Sequence, residues 1–152
     1  MPELTYRRAS QDDTGAIAAV SAAVWQEQGE GSGLREPLTT AEGVADRLAG
    51  YGDQSAILLC EGDNGACGFA LLEPYGPEEG AAVMGVWVLP SARRQGTGRE
   101  LALMALEFAR AAGYRKLRGT LPPGNEAALS FFSEIGALAQ GVGQGMQYEL
   151  PL

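Results

Sequence analysis

The stretch that decides the fold spans residues 86–101 and reads Val-Trp-Val-Leu-Pro-Ser-Ala-Arg-Arg-Gln-Gly-Thr-Gly-Arg-Glu-Leu. A β-rich apolar run ends at Pro90, a basic loop with two glycines follows, and a helix opens that is apolar from Leu101 onward. The backbone N–H groups of such a loop and the partial positive charge of a helix N-terminus together form a pocket for an anion. The stretch therefore predicts a binding site for a phosphate or a diphosphate.

The residues of this loop suit an anion. Gly96 and Gly98 have no Cβ, so the backbone can approach a ligand closely. Arg93, Arg94 and Arg99 add fixed positive charge. The loop lacks the Gly-Lys-Ser/Thr ending of P-loop NTPases and the three-glycine spacing of the dinucleotide fold. An ordinary strand–helix turn with surface arginines is the alternative interpretation.

The pattern Arg93-x-x-Gly96-x-Gly98 after Val88-x-Pro90 resembles the pyrophosphate-binding loop of the GNAT superfamily, the acyl-CoA-dependent N-acetyltransferases. The resemblance implies acetyl-CoA as cosubstrate. The residues expected to bind it in this stretch are Val86, Trp87, Val88, Arg93, Arg94, Gln95, Gly96, Thr97, Gly98 and Arg99.

The same resemblance implies that the fourth strand splays from the fifth. Backbone N–H groups near Val86 and Val88 would then bind the pantetheine arm and polarise the thioester. Trp87 lies between them in sequence and is expected on the opposite face of the strand, where core packing is the favoured role.

A second motif, Asn125-x-x-Ala128-x-x-Phe131-Phe132-x-x-x-Gly136, resembles the late helix of the family. The resemblance places Asn125 against the pantetheine arm or a water near it, with helix capping as the alternative. Phe131 and Phe132 would line the cofactor channel or pack in the core. Phe132 stands where relatives often have the tyrosine that protonates the leaving thiolate. The acid would then be another residue, water or none, and the substitutes in the sequence are Ser130, Ser133, Tyr114 and Tyr148.

The carboxylate that acts as general base in many relatives is also missing from its usual position. Many relatives use a glutamate early in the fourth strand, whereas residues 81–85 here contain no carboxylate. The nearest candidates are Glu79, which is preferred because it is close to the strand start, and then Glu78 and Glu73. Solvated surface charge is the alternative role for each of them.

Composition narrows the function classes. The 152 residues, 45% hydrophobic and 20% charged, predict a single domain over residues 1–152. The absence of histidine excludes Ser-His and Cys-His catalysis and argues against a metal site. Cys60 and Cys67 flank a predicted hairpin turn and are expected to be free core thiols. No signal peptide or membrane span is recognisable, so a cytoplasmic location is predicted.

The charge is unevenly distributed. The net charge of −8 argues against nucleic-acid binding. Four basic and fourteen acidic residues precede Arg93, whereas seven basic and five acidic residues follow from it onward. The anion loop therefore lies in the positive part, and a cationic amine would be attracted to the rest, although acidic residues also serve solubility. The expected partner is a small-molecule or peptide amine, with no nucleic acid and no membrane. A homodimer stays open because many relatives dimerise.

Apolar periodicity and turn signals predict the elements of the chain. Capping boxes begin helices at Ser10 with Asp13 and at Thr39 with Glu42, and Asp63-Asn64-Gly65 predicts a type I′ turn. The predicted strands cover residues 4–9, 55–61, 66–73, 81–89 and 116–121. The predicted helices end near residues 28, 49, 112 and 135. A final hairpin is predicted over residues 137–150.

The element order β-α-α-β-β-β-α-β-α-β-β predicts an α/β (α+β) fold. Its mixed, splayed sheet has six to seven strands and about four flanking helices, as in the GNAT superfamily. The function predicted from this resemblance is transfer of an acetyl group from acetyl-CoA to a primary amine by direct attack in a ternary complex. The alternatives are a catalytically weak or inactive acyl-CoA-binding regulator or sensor, and a phosphate-binding domain that does not bind CoA.

Overall fold

The structure, a computed structural model, describes residues 4–28, 38–76, 78–92, 96–121, 138–142 and 145–152, and of residues 119–121, 138–142 and 145–148 only the backbone. The elements in chain order are β1 (Thr5–Arg8), α1 (Thr14–Gln28), α2 (Ala41–Ala49), β2 (Ala56–Gly62), β3 (Gly65–Pro74), β4 (Ala81–Val88), α3 (Thr97–Ala111), β5 (Lys116–Leu121), β6 (Leu138–Val142) and β7 (Gly145–Pro151). The strands and α3 lie within one residue of their predicted bounds. The helix predicted over 125–135 lies outside the described residues.

The described strands form one seven-stranded sheet in the order β1-β2-β3-β4-β5-β7-β6. β4 pairs with β5 in parallel, and the other neighbouring pairs are antiparallel. The predicted mixed sheet is therefore confirmed. β4 occupies the middle of the sheet, as expected for a strand that is apolar on both faces.

Two hydrophobic clusters cover the two faces of the sheet. On one face, Leu58, Leu72 and Met84 pack against Leu101 and Leu106 of α3. We call this the α3 face. On the other face, the α1/α2 face, Leu59 and Phe69 pack against residues of α1 and α2. The stripe predicted for the first helix is buried there, namely Ile17, Val20 and Val24. Alternate residues of β3 and β4 therefore point to two different environments.

The capping box at the first helical segment is confirmed. The Ser10 N–H donates to Asp13 Oδ2 at 2.8 Å, and a 3₁₀ turn over Gln11–Asp13 leads into α1. Arg7 holds the same carboxylate through two hydrogen bonds of 2.7 and 2.9 Å. These bonds from Arg7 are the main reason that the pKa of Asp13 is lowered to about 2.

Two local predictions need correction. Thr40, not Thr39, is the N-cap of α2, and its side chain accepts a hydrogen bond from the Gly43 N–H at 3.0 Å. Thr40 still has an extended backbone, so the helix begins one residue later than predicted. The β2–β3 turn consists of Asp63 and Asn64 alone, because Gly65 already pairs with Gly62 as the first residue of β3.

Within the described ranges, no helix is both long enough and apolar enough to cross a membrane.

Candidate functional site

The sheet opens between β4 and β5. The ladder between these parallel strands contains two residue pairs, Ala81 with Lys116 and Ala82 with Leu117. β4 continues for six more residues, and along those residues its ladder within the described part of the sheet is with β3. The predicted splay is therefore present, and it begins at Val83.

The register of β4 against β3 fixes the direction of its amides. The Leu89 N–H donates to the Cys67 carbonyl at 2.8 Å, and the Tyr75 N–H donates to the Ala81 carbonyl at 2.9 Å. Hydrogen-bonded pairs alternate in an antiparallel ladder, so the odd-numbered residues of β4 direct their polar groups toward β3. The N–H groups of Val86 and Val88 consequently point toward the opening beside β5.

The first turn of α3 stands at the open part of β4. Gly96 is the N-cap, with φ of 79° and ψ of 7°, a left-handed conformation that favours glycine. As a glycine, this N-cap provides no side-chain hydrogen bond to the helix. The first intrahelical bond runs from the Glu100 N–H to the Gly96 carbonyl at 3.0 Å. The N–H groups of Thr97 and Gly98 precede it and have no acceptor within the helix.

Close packing joins this helix start to β4. A Cβ added at Gly98 would lie 3.6 Å from Cγ2 of Val88 and 3.8 Å from Cγ1 of Val86. The Thr97 side chain is buried beneath the first turn of α3. Thr97 can therefore offer a ligand its backbone N–H more readily than its side chain. Arg99 is exposed in the same turn.

Part of the predicted cofactor site lies outside the described residues. This part comprises Arg93, Arg94, Gln95, Asn125, Phe131 and Phe132. Tyr148 pairs through its backbone with Gly119 of β5 and Ala139 of β6, and its side chain is not described. The roles predicted for all of these residues stay predictions.

Trp87 lies on the face of β4 opposite to Val86 and Val88. Its ring packs against that of Phe69, its cross-strand neighbour, with 5.1 Å between centroids. The ring also covers Gly85, because a Cβ at that position would collide with it. Trp87 is therefore part of the α1/α2 face, as expected from its place in the sequence.

Glu73 is enclosed by two partners on the α1/α2 face. Arg47 donates two hydrogen bonds to the carboxylate, at 2.6 and 2.8 Å, and the Tyr51 hydroxyl donates a third at 2.6 Å. Burial, followed by the bond to Glu73, raises the pKa of Tyr51. In the register, Glu73 stands opposite Val83, where the opening begins. Its lone pairs are engaged, which disfavours it as a proton acceptor.

Sequence reasoning missed Arg47 and Tyr51. Arg47 lies in the last turn of α2, and Tyr51 follows two residues after the helix ends. Because Tyr51 lies outside the helix, helical spacing gives no signal that the two residues share a partner. Nothing in the sequence identifies the partner as Glu73, which lies 26 residues after Arg47.

Glu78 and Glu79 differ in their surroundings. Glu78 contacts Lys116 at 2.8 Å and Arg118 at 2.9 Å, and these bonds, the one from Lys116 first, lower the pKa of Glu78. Lys116 also contacts Glu149 at 2.8 Å. The Glu79 side chain is exposed, and its carboxylate forms no hydrogen bond or ion pair with the part of the chain that the structure describes.

Two further predictions concern an acid and a metal. The hydroxyl of Tyr114 donates to the Gln54 carbonyl at 2.7 Å, and burial raises its pKa, so this candidate acid already has a structural partner. No group of three or more Cys, Asp or Glu side chains that could hold a metal ion occurs in the described ranges.

A known protein family matches most of the chain. The model of the acetyltransferase (GNAT) family matches residues 20–137. The chain belongs to this family. No curated protein sequence matches it.

Solved structures of GNAT-like proteins share the fold over nearly the whole chain. A ribosomal-protein-alanine N-acetyltransferase from Brucella melitensis superposes with a TM-score of 0.85 at 23% identity, covering 97% of this chain and 99% of that one. The PaiA N-acetyltransferase of Thermoplasma acidophilum, in complex with coenzyme A, superposes with a TM-score of 0.81 at 17% sequence identity, covering 99% of both chains. The structure of yncA of Salmonella typhimurium, with its cofactor acetyl-CoA, superposes with a TM-score of 0.76 at 20% sequence identity, covering 99% of this chain and 94% of that one.

Proposed function

We propose that the protein transfers the acetyl group of acetyl-CoA to a primary amine by direct attack in a ternary complex. The observation that carries this proposal is the opening between β4 and β5 directly beside the uncapped first turn of α3. The described structures of PaiA and yncA contain coenzyme A and acetyl-CoA, which supports the same ligand here.

The diphosphate of the cofactor would bind at the start of α3. The left-handed Gly96 and the amides of Thr97 and Gly98 form its backbone part. Arg93, Arg94, Gln95 and Arg99 would add charge and hydrogen bonds, as the resemblance implies. Because Gly98 packs against Val86 and Val88, a ligand held there is directed along β4.

The thioester would lie along the open part of β4. The Val86 N–H faces this opening and is suited to hold the pantetheine arm or polarise the thioester carbonyl. Asn125, Phe131 and Phe132 would complete the channel. Trp87 packs against Phe69 on the α1/α2 face, opposite to the side of Val86 and Val88 that would hold the cofactor.

In the reaction, the amine nitrogen attacks the thioester carbonyl, the carbon–sulfur bond breaks, and CoA leaves as a thiolate. The proton lost by the ammonium group needs an acceptor, and Glu79 is our first choice because its carboxylate is not engaged by the described residues. Glu73 and Glu78 are held by cations. Tyr148, Ser130 and Ser133 stay candidates for protonating the thiolate, and Tyr148 is our first choice.

A second function is favoured because the carboxylates of Glu73 and Glu78 already bind cationic side chains. If no base acts, the chain would be an acyl-CoA-binding regulator with little or no turnover. A thiol-release assay with acetyl-CoA and a panel of amines separates the two, with peptide N-termini, lysine, polyamines and small amines as acceptors. Turnover with any amine supports the transferase. Tight CoA binding by calorimetry without turnover supports the regulator, and absence of CoA binding contradicts both.

The base assignment has its own test. Glu79→Gln should lower kcat by about 100-fold or more at neutral pH, with CoA affinity unchanged. Glu107→Gln, an equally exposed carboxylate on α3, is the matched control. Equal rates for wild type and Glu79→Gln would transfer the role to water or to another group.

A further inference from the structure

Two thiols meet across the β2–β3 hairpin, on the α3 face of the sheet. Sγ of Cys67 lies 3.2 Å from Sγ of Cys60 and 3.5 Å from the Cys60 carbonyl oxygen. Both cysteines are unbridged. Cys60 is fully buried, whereas Cys67 is partly exposed.

A β-bulge brings the two side chains together. Cys60 pairs with Gly68, and the next residue, Glu61, pairs with Ala66, so Cys67 is an extra residue without a cross-strand position of its own. Cys67 and Gly68 thus both face Cys60. The two cysteines lie on the α3 face, with their sulfur atoms in contact.

We propose that Cys60 and Cys67 are a thiol–disulfide exchange site that is oxidised by low-molecular-weight disulfides such as glutathione disulfide. The Cys67 thiolate attacks the small disulfide, forms a mixed disulfide and releases one thiol. The Cys60 thiolate then attacks Sγ of Cys67, forms the intramolecular disulfide and releases the second thiol. Both protein thiols lose their protons, and the two electrons of the oxidation reduce the small disulfide to two thiols.

Accessibility sets the order of these steps. Only Cys67 is partly exposed, so the first attack falls to it. Burial, and then the neighbouring Cys67 sulfur, raises the pKa of Cys60 to about 12. A Cys67 sulfur in a mixed disulfide carries no negative charge, so the Cys60 thiolate forms more readily beside it than beside a Cys67 thiolate.

The neighbouring contacts favour a dithiol over a metal site and connect it to the anion loop. No third metal-ligating side chain joins the two cysteines among the described residues. The Cys67 carbonyl accepts the hydrogen bond from Leu89 N–H at 2.8 Å, and Leu89 directly precedes the turn over Pro90–Ala92. A disulfide would thus fix the beginning of β3, which holds Leu89 just before the anion loop. This inference does not depend on the acetyl-transfer reaction.

The test is oxidation of the purified protein by glutathione disulfide, followed by thiol alkylation and intact mass spectrometry. The wild type should lose both alkylatable thiols, carry no glutathione, and recover both thiols with dithiothreitol. Its thermal midpoint should rise by about 5 °C on oxidation.

Two variants separate the steps. Cys60→Ala should retain one glutathione on Cys67, because no second thiol resolves it. Cys67→Ala should stay unmodified, because Cys60 is buried. The proposal is overturned if the folded wild type retains glutathione, stays fully reduced at every ratio of oxidised to reduced glutathione, or forms only bridges between chains on a non-reducing gel.

Discussion

β4 meets its surroundings differently at its two ends. At its beginning, Ala81 and Ala82 pair with β5, and the charges beside them, Glu78 and Lys116, bind each other. At its other end, β5 has moved away, and the strand contacts the start of α3 through Val86 and Val88. The first end is stabilised by ion pairs between side chains. The second presents backbone N–H groups and a helix terminus, which suit an anionic ligand.

Substitutions at the two ends of β4 should therefore act on different properties, stability at the first end and ligand binding at the second. Exposed ion pairs tolerate replacement, because each contributes little to the free energy of unfolding. A site made from backbone groups has no side chain to replace, so it is sensitive to added bulk, altered dihedral angles and lost N–H groups.

Gly96→Glu should weaken CoA binding by more than about 1000-fold, or about 4 kcal/mol, because the side chain adds bulk and negative charge where the diphosphate would bind. The measurement is titration calorimetry. Gly113→Glu is the matched control, since Gly113 also has a positive φ, 92° against 79°, at the other end of α3. Unchanged CoA affinity in folded Gly96→Glu would remove the anion site from this loop.

Val86→Pro should lower kcat/KM by about 100-fold, because it removes an N–H aimed into the opening. Val83→Pro instead removes an N–H aimed at β3 and should lower the free energy of unfolding by about 2 kcal/mol. Steady-state kinetics and urea unfolding measure the two effects. If both variants lose the same stability, the Val86 N–H belongs to the sheet and not to the ligand.

Arg99→Ala should weaken CoA binding about fivefold at low ionic strength and less at high salt, because a solvent-exposed charge is screened. Arg110→Ala, in the last turn of the same helix, should leave the affinity unchanged. Calorimetry at two salt concentrations provides the comparison, and equal effects of the two substitutions would argue against a local contribution of Arg99.

Glu78→Gln should have the smallest effect, lowering the thermal midpoint at pH 7 by at most about 2 °C. The pKa of Glu78 is lowered by Lys116 and Arg118, so its contribution is present above the ordinary value of 4.5 and is lost as the pH falls below it. The midpoints of the variant and the wild type should therefore converge in acid. A difference that persists there would arise from packing rather than charge.

Much of the fold could be predicted because its signals are local. The capping box of Ser10 and Asp13 acts over three residues, and the β6–β7 hairpin closes over Val142 and Gly145. The bound of α2 was wrong by one residue because Thr39 and Thr40 can both cap a helix. The family resemblance, not periodicity, predicted the splay between β4 and β5.

In the candidate site, too, local features could be predicted from the sequence, whereas contacts between separate elements could not. The place of Gly96 directly before α3 could be predicted from the sequence, whereas its left-handed conformation is a finding of the structure. The partners of Glu73 could not be predicted, since Arg47 and Tyr51 reach it from another element. The bulge that brings Cys67 to Cys60 has no signal as clear as a turn residue.

Local signals in the chain were enough to predict the strand–loop–helix segment around Gly96, the helix cap at Ser10 and the order of the described strands and helices, because each depends on backbone preferences and contacts within a few residues. The engaged carboxylates, the point where β4 and β5 separate and the meeting of two thiols become visible only in the folded chain. Those features depend on how separate elements pack, and long side chains take whichever partner this packing brings within reach.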